Sequence, residues 1–107
     1  MESKQQLLTV QILRFVDDRF PGWVECDFVD ASSVRHSIID KYPQFIAEML
    51  DATGAYPQLG KAPCEVLERW RDSQGRELAR ITLARPGGME SKDGLSEFIV
   101  EATQLSH

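Results

Sequence analysis

The stretch WVECDFVDASSVRHSIID, residues 23–40, decides the fold. In its first part, WVECDFVD, apolar side chains alternate with acidic ones, which is the period of a strand with one buried and one solvated face. Asp and Ser side chains can bond to their own backbone, so DASS at residues 30–33 predicts a turn. The segment VRHSIID, residues 34–40, then returns as the second strand of an antiparallel hairpin.

The turn also predicts which side chains face each other across this hairpin. Counted back from the turn, Phe28 pairs near Arg35 and Cys26 pairs near Ser37. His36 then points to the face opposite Cys26, toward solvent. Nucleophilic catalysis needs the nucleophile and its base in contact, so this register disfavours a catalytic cysteine–histidine pair.

Four further segments have the composition and alternation of strands. They are residues 7–16, 62–72, 76–84 and 95–103. In the first of them the apolar phase changes near Ile12 and Leu13, which predicts a β-bulge or a strand that passes between two sheets. Residues 43–50 predict a short helical connector. The fold class is therefore mainly β: a six-stranded antiparallel barrel or small sandwich, built from two three-stranded meanders.

One sequence pattern occurs twice. V-x-x-x-F-x-D-x-x-S, residues 24–33, returns as V-x-x-x-W-x-D-x-x-G at residues 66–75. The repetition is a weak indication of a duplicated hairpin, because hairpins whose turn begins with Asp often share such a pattern.

The length and charge of the chain restrict its class. With 107 residues, 42% of them hydrophobic and 27% charged, we expect one globular domain over residues 1–107, with frayed ends at 1–6 and 104–107. Acidic residues outnumber Lys and Arg by 17 to 12, for a formal net charge of -5. Because no surplus of cations is available to replace the counterions of a phosphate backbone, this balance disfavours nucleic acid as a partner.

The sequence also carries a prediction about location. Its first residues lack the long apolar stretch of a signal peptide, and no apolar run is long enough to span a membrane. We therefore expect a cytoplasmic protein with no membrane partner and with reduced thiols. Cys26 and Cys64 fall at apolar positions of predicted strands, which is typical of small buried hydrophobes.

Motifs for metal, phosphate or cofactor binding are missing from the sequence. Two cysteines and two histidines without a C-x-x-C pair make a poor zinc set. There is no EF-hand loop, no H-E-x-x-H and no glycine-rich phosphate loop. The sequence therefore predicts no metal, no cofactor and no catalytic residue, and a protein that is not an enzyme.

Acidic and aromatic side chains concentrate between residues 17 and 30, where five acids accompany a single base. Such a surface suits a basic protein partner, because its charge steers the encounter and a tryptophan supplies a buried anchor. The alternative is a solvated outer face, with the tryptophan folded over the edge of the sheet. The residues predicted to bind the partner are Asp17, Asp18, Phe20, Trp23, Glu25, Asp27 and Asp30.

A second hypothesis places a small-ligand site at the mouth of the barrel, with residues 41–61 as a lid. Glu68 falls on the apolar phase of its strand, which is unusual for a carboxylate. It either faces a ligand or forms an ion pair with Arg80 on the neighbouring strand. The residues predicted to line this alternative site are His36, Tyr56, Glu68 and Trp70.

Several short motifs give the chain a likeness to other proteins. They are FVDD (15–18), PGWVEC (21–26), YP (56–57), CEV (64–66), W-x-D (70–72), GR (75–76) and GMES (88–91). In these motifs, which cover most of the chain, it resembles a group of small, uncharacterised bacterial proteins. No activity is assigned to that group, so the resemblance implies no catalytic or binding residue.

These features lead to two functional hypotheses. The first is a non-enzymatic, acidic protein-binding domain, in its narrower form an immunity-like inhibitor that neutralises a basic toxin. The second is a small-ligand-binding β-barrel, or an enzyme with its site at the barrel mouth. If residues 7–16 form an exposed apolar edge strand, they would also allow a homodimer by strand addition.

Overall fold

The computed structural model describes residues 5–45 and 57–107, in which the backbone forms a curved antiparallel sheet. The strands are β1 (Gln5–Asp17), β2 (Trp23–Val29), β3 (Arg35–Lys41), β4 (Gln58–Arg71), β5 (Glu77–Thr82), β6 (Glu97–Glu101) and the short β7 (Leu105–Ser106). Their order is β3-β2-β1-β4-β5-β6, and β7 pairs with β1. The sheet forms a half-barrel, so the predicted mainly β, six-stranded antiparallel fold is confirmed.

β1 lies in the middle of the sheet. Its 13 residues are enough to pair with β4 on one side and with β2 and β7 on the other. The register between β1 and β2 shifts between Ile12 and Arg14, so the bulge predicted near Ile12 and Leu13 is confirmed. Residues 7–16 therefore do not form an edge strand, because β4 pairs with residues 5–12 on one side, and β2 and β7 pair on the other. The strands at the two ends of the sheet are β3 and β6.

One face of the sheet carries the hydrophobic core. Alternate side chains of β1, β2, β4, β5 and β6 are buried there, as the two-residue period of a strand requires. Phe28 of β2 meets Phe98 of β6 edge-on, with ring centroids 5.0 Å apart, so the two halves of the sheet touch across the interior. The largest fully buried side chains are Leu8, Ile12, Ile38, Ile81, Leu83 and Met89.

The loops after β2 and β4, residues 30–34 and 72–76, have the same geometry. In each loop, the Asp carboxylate accepts hydrogen bonds from the backbone N–H groups two and four residues later. Each loop also contains a residue with positive φ, namely Ser33 at 65° and Gly75 at 80°. This is the three-residue hairpin connection that ends in a left-handed residue. The sequence pattern that occurs twice therefore marks two turns of one kind.

β4 begins earlier than the sequence indicates. The YPQLG segment, residues 56–60, predicts a loop, but the strand already starts at Gln58 and pairs with Ile12 of β1. Pairing with a long neighbouring strand overrides the weak strand propensity of these residues. Gly60 permits the close approach, because a Cβ atom at that position would lie 2.7 Å from Cδ1 of Ile12.

The predicted helical connector at 43–50 is only partly described. Tyr42–Gln44 forms a short 3-10 turn, and Phe45 after it is buried in the core. Residues 46–56 lie outside the described residues, and with them most of this connector and Tyr56.

The described ends of the chain contain paired strands. Gln5 and Gln6 belong to β1, and β7 adds to β1 at Leu7 and Leu8, beyond the point where β2 ends. The side-chain amide of Gln6 also lies 3.1 Å from Nδ1 of His107. Frayed ends at 1–6 and 104–107 remain a prediction: residues 1–4 lie outside the described residues, and residues 5–6 and 105–106 belong to strands, because β7 pairs with the backbone edge that β1 leaves open. Among the residues described, no helix is long and apolar enough to cross a membrane.

Candidate functional site

The acidic residues of β2 do not face solvent as predicted. Glu25 is 9% exposed and Asp27 only 3%. Glu25 accepts hydrogen bonds from Nζ of Lys92 at 2.9 Å and from Nε of Arg14 at 3.0 Å. The Lys92 ammonium, and secondarily the Arg14 guanidinium, hold the pKa of Glu25 below its usual value against the effect of burial. Asp27 pairs with the guanidinium of Arg35 on β3.

Two of the other acids between residues 17 and 30, Asp17 and Asp30, are also bonded within the molecule. The Asp17 carboxylate accepts two hydrogen bonds from the Arg19 side chain and one from its backbone N–H, and these lower the pKa of Asp17 to about 2. Asp30 organises the turn after β2 and bonds to His36. Asp18 is exposed. The seven residues predicted to bind a partner therefore do not form one continuous acidic surface.

The two aromatic residues of that set lie at the end of the sheet where β1 turns into β2. Phe20 is 99% exposed, and Trp23 and Val16 are also among the exposed large apolar residues. Nζ of Lys41 on β3 lies 5.9 Å from the centre of the Trp23 ring, within the range of a cation–π contact. We call Phe20, Trp23 and Val16 the apolar tip.

The turn that carries Phe20 is held on both sides. The N–H of Gly22 donates to the carbonyl of Arg19 at 2.6 Å, and the N–H of Tyr42 donates to the carbonyl of Gly22 at 2.8 Å. The second bond ties the turn to the chain just after β3. Together with the bonds between Asp17 and Arg19, these contacts fix the backbone of the turn that carries Phe20.

His36 is packed inside the protein rather than pointing to solvent. In the observed register Phe28 pairs with His36 and Cys26 with Ile38, one residue away from the predicted pairing. The His36 side chain is 11% exposed, and its ring centroid lies 4.7 Å from that of Phe98. The prediction of a solvent-facing His36 is wrong because the turn uses a left-handed Ser residue, which places one more residue in the loop than expected.

A cavity lies at the open side of the half-barrel, between the β2–β3 turn and β6. Two backbone hydrogen bonds bridge this side: Ala31 N–H donates to the carbonyl of Ile99, and Lys92 N–H donates to the carbonyl of Ser37. The cavity has a volume of about 360 Å³, and its lining includes Asp30, Ser32, His36, Arg80, Glu97 and Phe98. We call it the seam pocket.

Glu68 is part of a charge network on the outer face. Its carboxylate lies 3.4 Å from Nε of Arg80, so the predicted ion pair is present. Nη1 of Arg80 donates to Glu97 at 2.9 Å, which joins β4, β5 and β6 through one guanidinium. A register shift between Val66 and Glu68 turns the carboxylate outward, which explains its place on an apparently apolar phase.

The residues predicted for the alternative ligand site do not converge. His36 lines the seam pocket, whereas Trp70 lines a separate cavity of about 270 Å³ with Arg69 and Leu78. Glu68 lies among the lining residues of neither, and Tyr56 is outside the described residues. A common site at a barrel mouth would need an open interior, but Phe28 and Phe98 fill it.

The cysteines are buried in the core. Burial raises the pKa of Cys26 to about 12 and that of Cys64 to about 11, so both stay protonated at neutral pH. Cys64 donates a weak hydrogen bond to the carbonyl of Gln6. Within residues 5–45 and 57–107, no group of three or more His, Cys, Asp or Glu side chains could hold a metal ion.

The sequence reasoning missed the pairing of Asp30 with His36 and the contribution of Phe98 and Ser32. The only available signal was the recurrence of the Asp-initiated turn, since the glycine of its second copy suggests a left-handed residue at the equivalent Ser33. Comparison with protein-family models, with curated proteins and with solved structures gives no match. The resemblance to small bacterial proteins therefore stays a prediction.

Proposed function

We propose that this protein is a non-enzymatic protein-binding domain whose partner docks on the apolar tip. The observation that carries the proposal is the complete exposure of Phe20, at 99%, on a turn held by backbone bonds. An aromatic side chain left wholly in water has no stabilising contacts in the monomer, and burial by a partner recovers its hydrophobic free energy. Large exposed aromatic residues are typical anchors of protein interfaces.

The ordered turn favours a binding role for Phe20 over the alternative that its exposure has no function. A side chain on a mobile loop would lose conformational entropy on binding, whereas a turn already ordered loses little. Gly22 links the turn to the end of β3, and Trp23 and Val16, which flank the turn in the chain, are also exposed. A partner would therefore dock on a turn whose backbone is already ordered.

The charge of the chain supports a basic partner. Its net charge of -5 attracts positively charged proteins over long range and speeds their encounter. Because most acids near the tip are bonded within the molecule, the charge acts through steering and the apolar tip supplies the short-range contact. The narrower form of the proposal is an immunity-like inhibitor of a basic toxin.

The test compares two exposed apolar positions. Phe20→Ser and Leu59→Ser remove apolar side chains that are 99% and 68% exposed, but Leu59 lies on β4, away from the tip. The wild-type protein and the Leu59→Ser variant should capture the same basic protein from the source cells, and Phe20→Ser should lose it. With that partner purified, Phe20→Ser should weaken binding at least about tenfold, and the association rate should fall as salt is added.

Two results would refute the proposal. If Phe20→Ser and Leu59→Ser bind the captured protein equally well, the apolar tip is not the interface. If the association rate is insensitive to salt, the partner is not selected by its positive charge.

A further inference from the structure

The seam pocket contains polar groups that the protein-binding proposal does not use. The first of them is the hydrogen-bonded pair of Asp30 and His36, in which one proton has a defined position. Asp30 receives two backbone N–H bonds at Oδ1, and its Oδ2 lies 2.7 Å from Nε2 of His36. The bond to His36, helped by those backbone bonds, keeps the pKa of Asp30 below its usual value although burial opposes it. An ionised carboxylate only accepts hydrogen bonds, so Nε2 of His36 carries the proton.

The other ring nitrogen of His36 is therefore a free acceptor when the imidazole is neutral. No described residue bonds to Nδ1. In the same part of the chain, no buried polar side-chain atom lacks a hydrogen-bond partner, so Nδ1 is not sealed in the core. His36 lines the seam pocket, so its ring lies beside any molecule bound there.

The charges around the pocket favour a cation. Two carboxylates, those of Asp30 and Glu97, line the pocket together with a single guanidinium, that of Arg80. Arg80 uses Nε for Glu68 and Nη1 for Glu97, so most of its positive charge is already compensated. An anion entering the pocket would meet a surplus of negative charge, whereas an ammonium group would be attracted.

The remaining walls are apolar and aromatic. Leu95 and Ile99 expose aliphatic surface to the pocket, and Phe98 adds its ring. An aromatic ring next to a cation adds a favourable electrostatic contact. A volume of about 360 Å³ is at the small end of ligand sites and suits one ring or a short chain.

We propose that the seam pocket binds a small organic ammonium ion with an apolar body. The ammonium group donates a hydrogen bond to Nδ1 of His36 and lies near the carboxylate of Glu97. The apolar body packs on Leu95, Phe98 and Ile99 at the open side of the half-barrel. This site shares no residue with the apolar tip, so the ammonium-binding proposal can be tested independently of the protein-binding proposal.

Benzylamine is the probe, and amide chemical shifts of the isotope-labelled protein are the readout. Benzylamine should cause saturable shifts at His36, Phe98 and Ile99 with millimolar affinity, as expected for so small a ligand. Benzyl alcohol keeps the ring without the charge, and benzoate reverses the charge. Both should bind at least about tenfold more weakly, since each loses a charge-assisted hydrogen bond.

Two pocket variants and two matched controls locate the site. His36→Phe keeps an aromatic ring between Phe28 and Phe98 but removes Nδ1, and Glu97→Gln removes an exposed carboxylate. His107→Phe and Glu77→Gln make the same changes away from the pocket, at the chain end and on β5. Affinity for benzylamine should fall about tenfold in His36→Phe and a few-fold in Glu97→Gln, and it should not change in the controls.

The proposal is overturned if benzylamine causes no saturable shifts, if benzoate binds as tightly as benzylamine, or if both pocket variants bind like the wild-type protein. Glu97 is exposed, so its variant decides the question even if His36→Phe does not fold. Phe20→Ser should leave benzylamine binding unchanged, which separates this result from the test of the apolar tip.

Discussion

Glu25 shows that alternation predicts which side chains share a face but not whether that face is solvated. Its position between the apolar residues of β2 predicts a solvated side chain, but Glu25 is 9% exposed. Lys92, in the loop before β6, donates a hydrogen bond to the Glu25 carboxylate. A contact between residues so far apart in the chain has no signature in local alternation.

We expect Glu25→Gln to destabilise the protein by about 1–2 kcal/mol, because a largely buried carboxylate loses two charge-assisted hydrogen bonds while its partners Arg14 and Lys92 can still reach water. Chemical denaturation measures the loss. Glu77→Gln is the control, since Glu77 forms an exposed ion pair with Arg71 and should change the unfolding free energy by less than about 0.5 kcal/mol. Equal effects of the two variants would contradict the structural role of Glu25.

The cysteines give a second prediction at the level of single residues. Because Cys26 and Cys64 are buried and their pKa values are raised to about 12 and about 11, neither should react with a thiol reagent in the native protein at pH 8. Both should react once denaturant unfolds the chain. Rapid labelling of either thiol without denaturant would show that the core opens there or that the thiol is placed differently.

The two Asp-initiated turns allow a matched experiment at the level of elements. Ser33 adopts a φ of 65°, which is strained for a residue with a Cβ atom, and Gly75 adopts 80° at the equivalent position. Ser33→Gly should raise the unfolding free energy by about 0.5–1 kcal/mol, and Gly75→Ser should lower it by about 1 kcal/mol. A Cβ at Gly75 would meet nothing within 4 Å, so only the backbone contributes.

Thermal or chemical denaturation of both variants measures these opposite effects. If Ser33→Gly destabilises the protein, then its hydroxyl or the rigidity of Ser outweighs the backbone strain. Opposite signs in the two loops would confirm that the recurring sequence pattern codes for one turn geometry.

Elements formed by interactions between residues close in the sequence could be predicted, whereas elements that depend on contacts between distant residues could not. The strands, the bulge after Ile12 and the ion pair of Glu68 follow from local alternation and from counting across a hairpin. The exact register of β2 with β3 does not, because it depends on one residue, Ser33, whose left-handed conformation is unusual for Ser. That single step moves His36 from solvent into the seam pocket.

The central position of β1 in the sheet and the early start of β4 could not be predicted from the sequence either. Both result from pairing between segments on either side of a long connector, and alternation within one strand carries no information about its neighbours. Of the candidate site, sequence reasoning named Phe20 and His36, but it could not distinguish which acids would be neutralised internally.

For the whole molecule, the bonded carboxylates predict how stability depends on pH. The pKa values of Asp17, Glu25, Asp30 and Asp72 are all lowered in the folded protein by hydrogen bonds or ion pairs. Groups with depressed folded pKa values stabilise the protein above their unfolded values near 4 and lose that contribution as pH falls. The denaturant concentration at the unfolding midpoint should therefore decrease as the pH is lowered from about 5 to about 2.

The variant Glu25→Gln supplies the check on this pH dependence. It should reduce the steepness of the acid decline, because one of the groups that must be protonated is gone. An unchanged profile would mean that Glu25 titrates alike in the folded and unfolded chain.

The pairing of β1 with β4 also governs how the chain can be made. Synthesis runs from the N-terminus, so β1, β2 and β3 leave the ribosome before β4 exists. Until then one side of β1 has open backbone donors and acceptors, which can pair with a neighbouring nascent chain. The half-finished polypeptide is therefore the form most exposed to aggregation, and slower translation after β3 would lengthen that exposure.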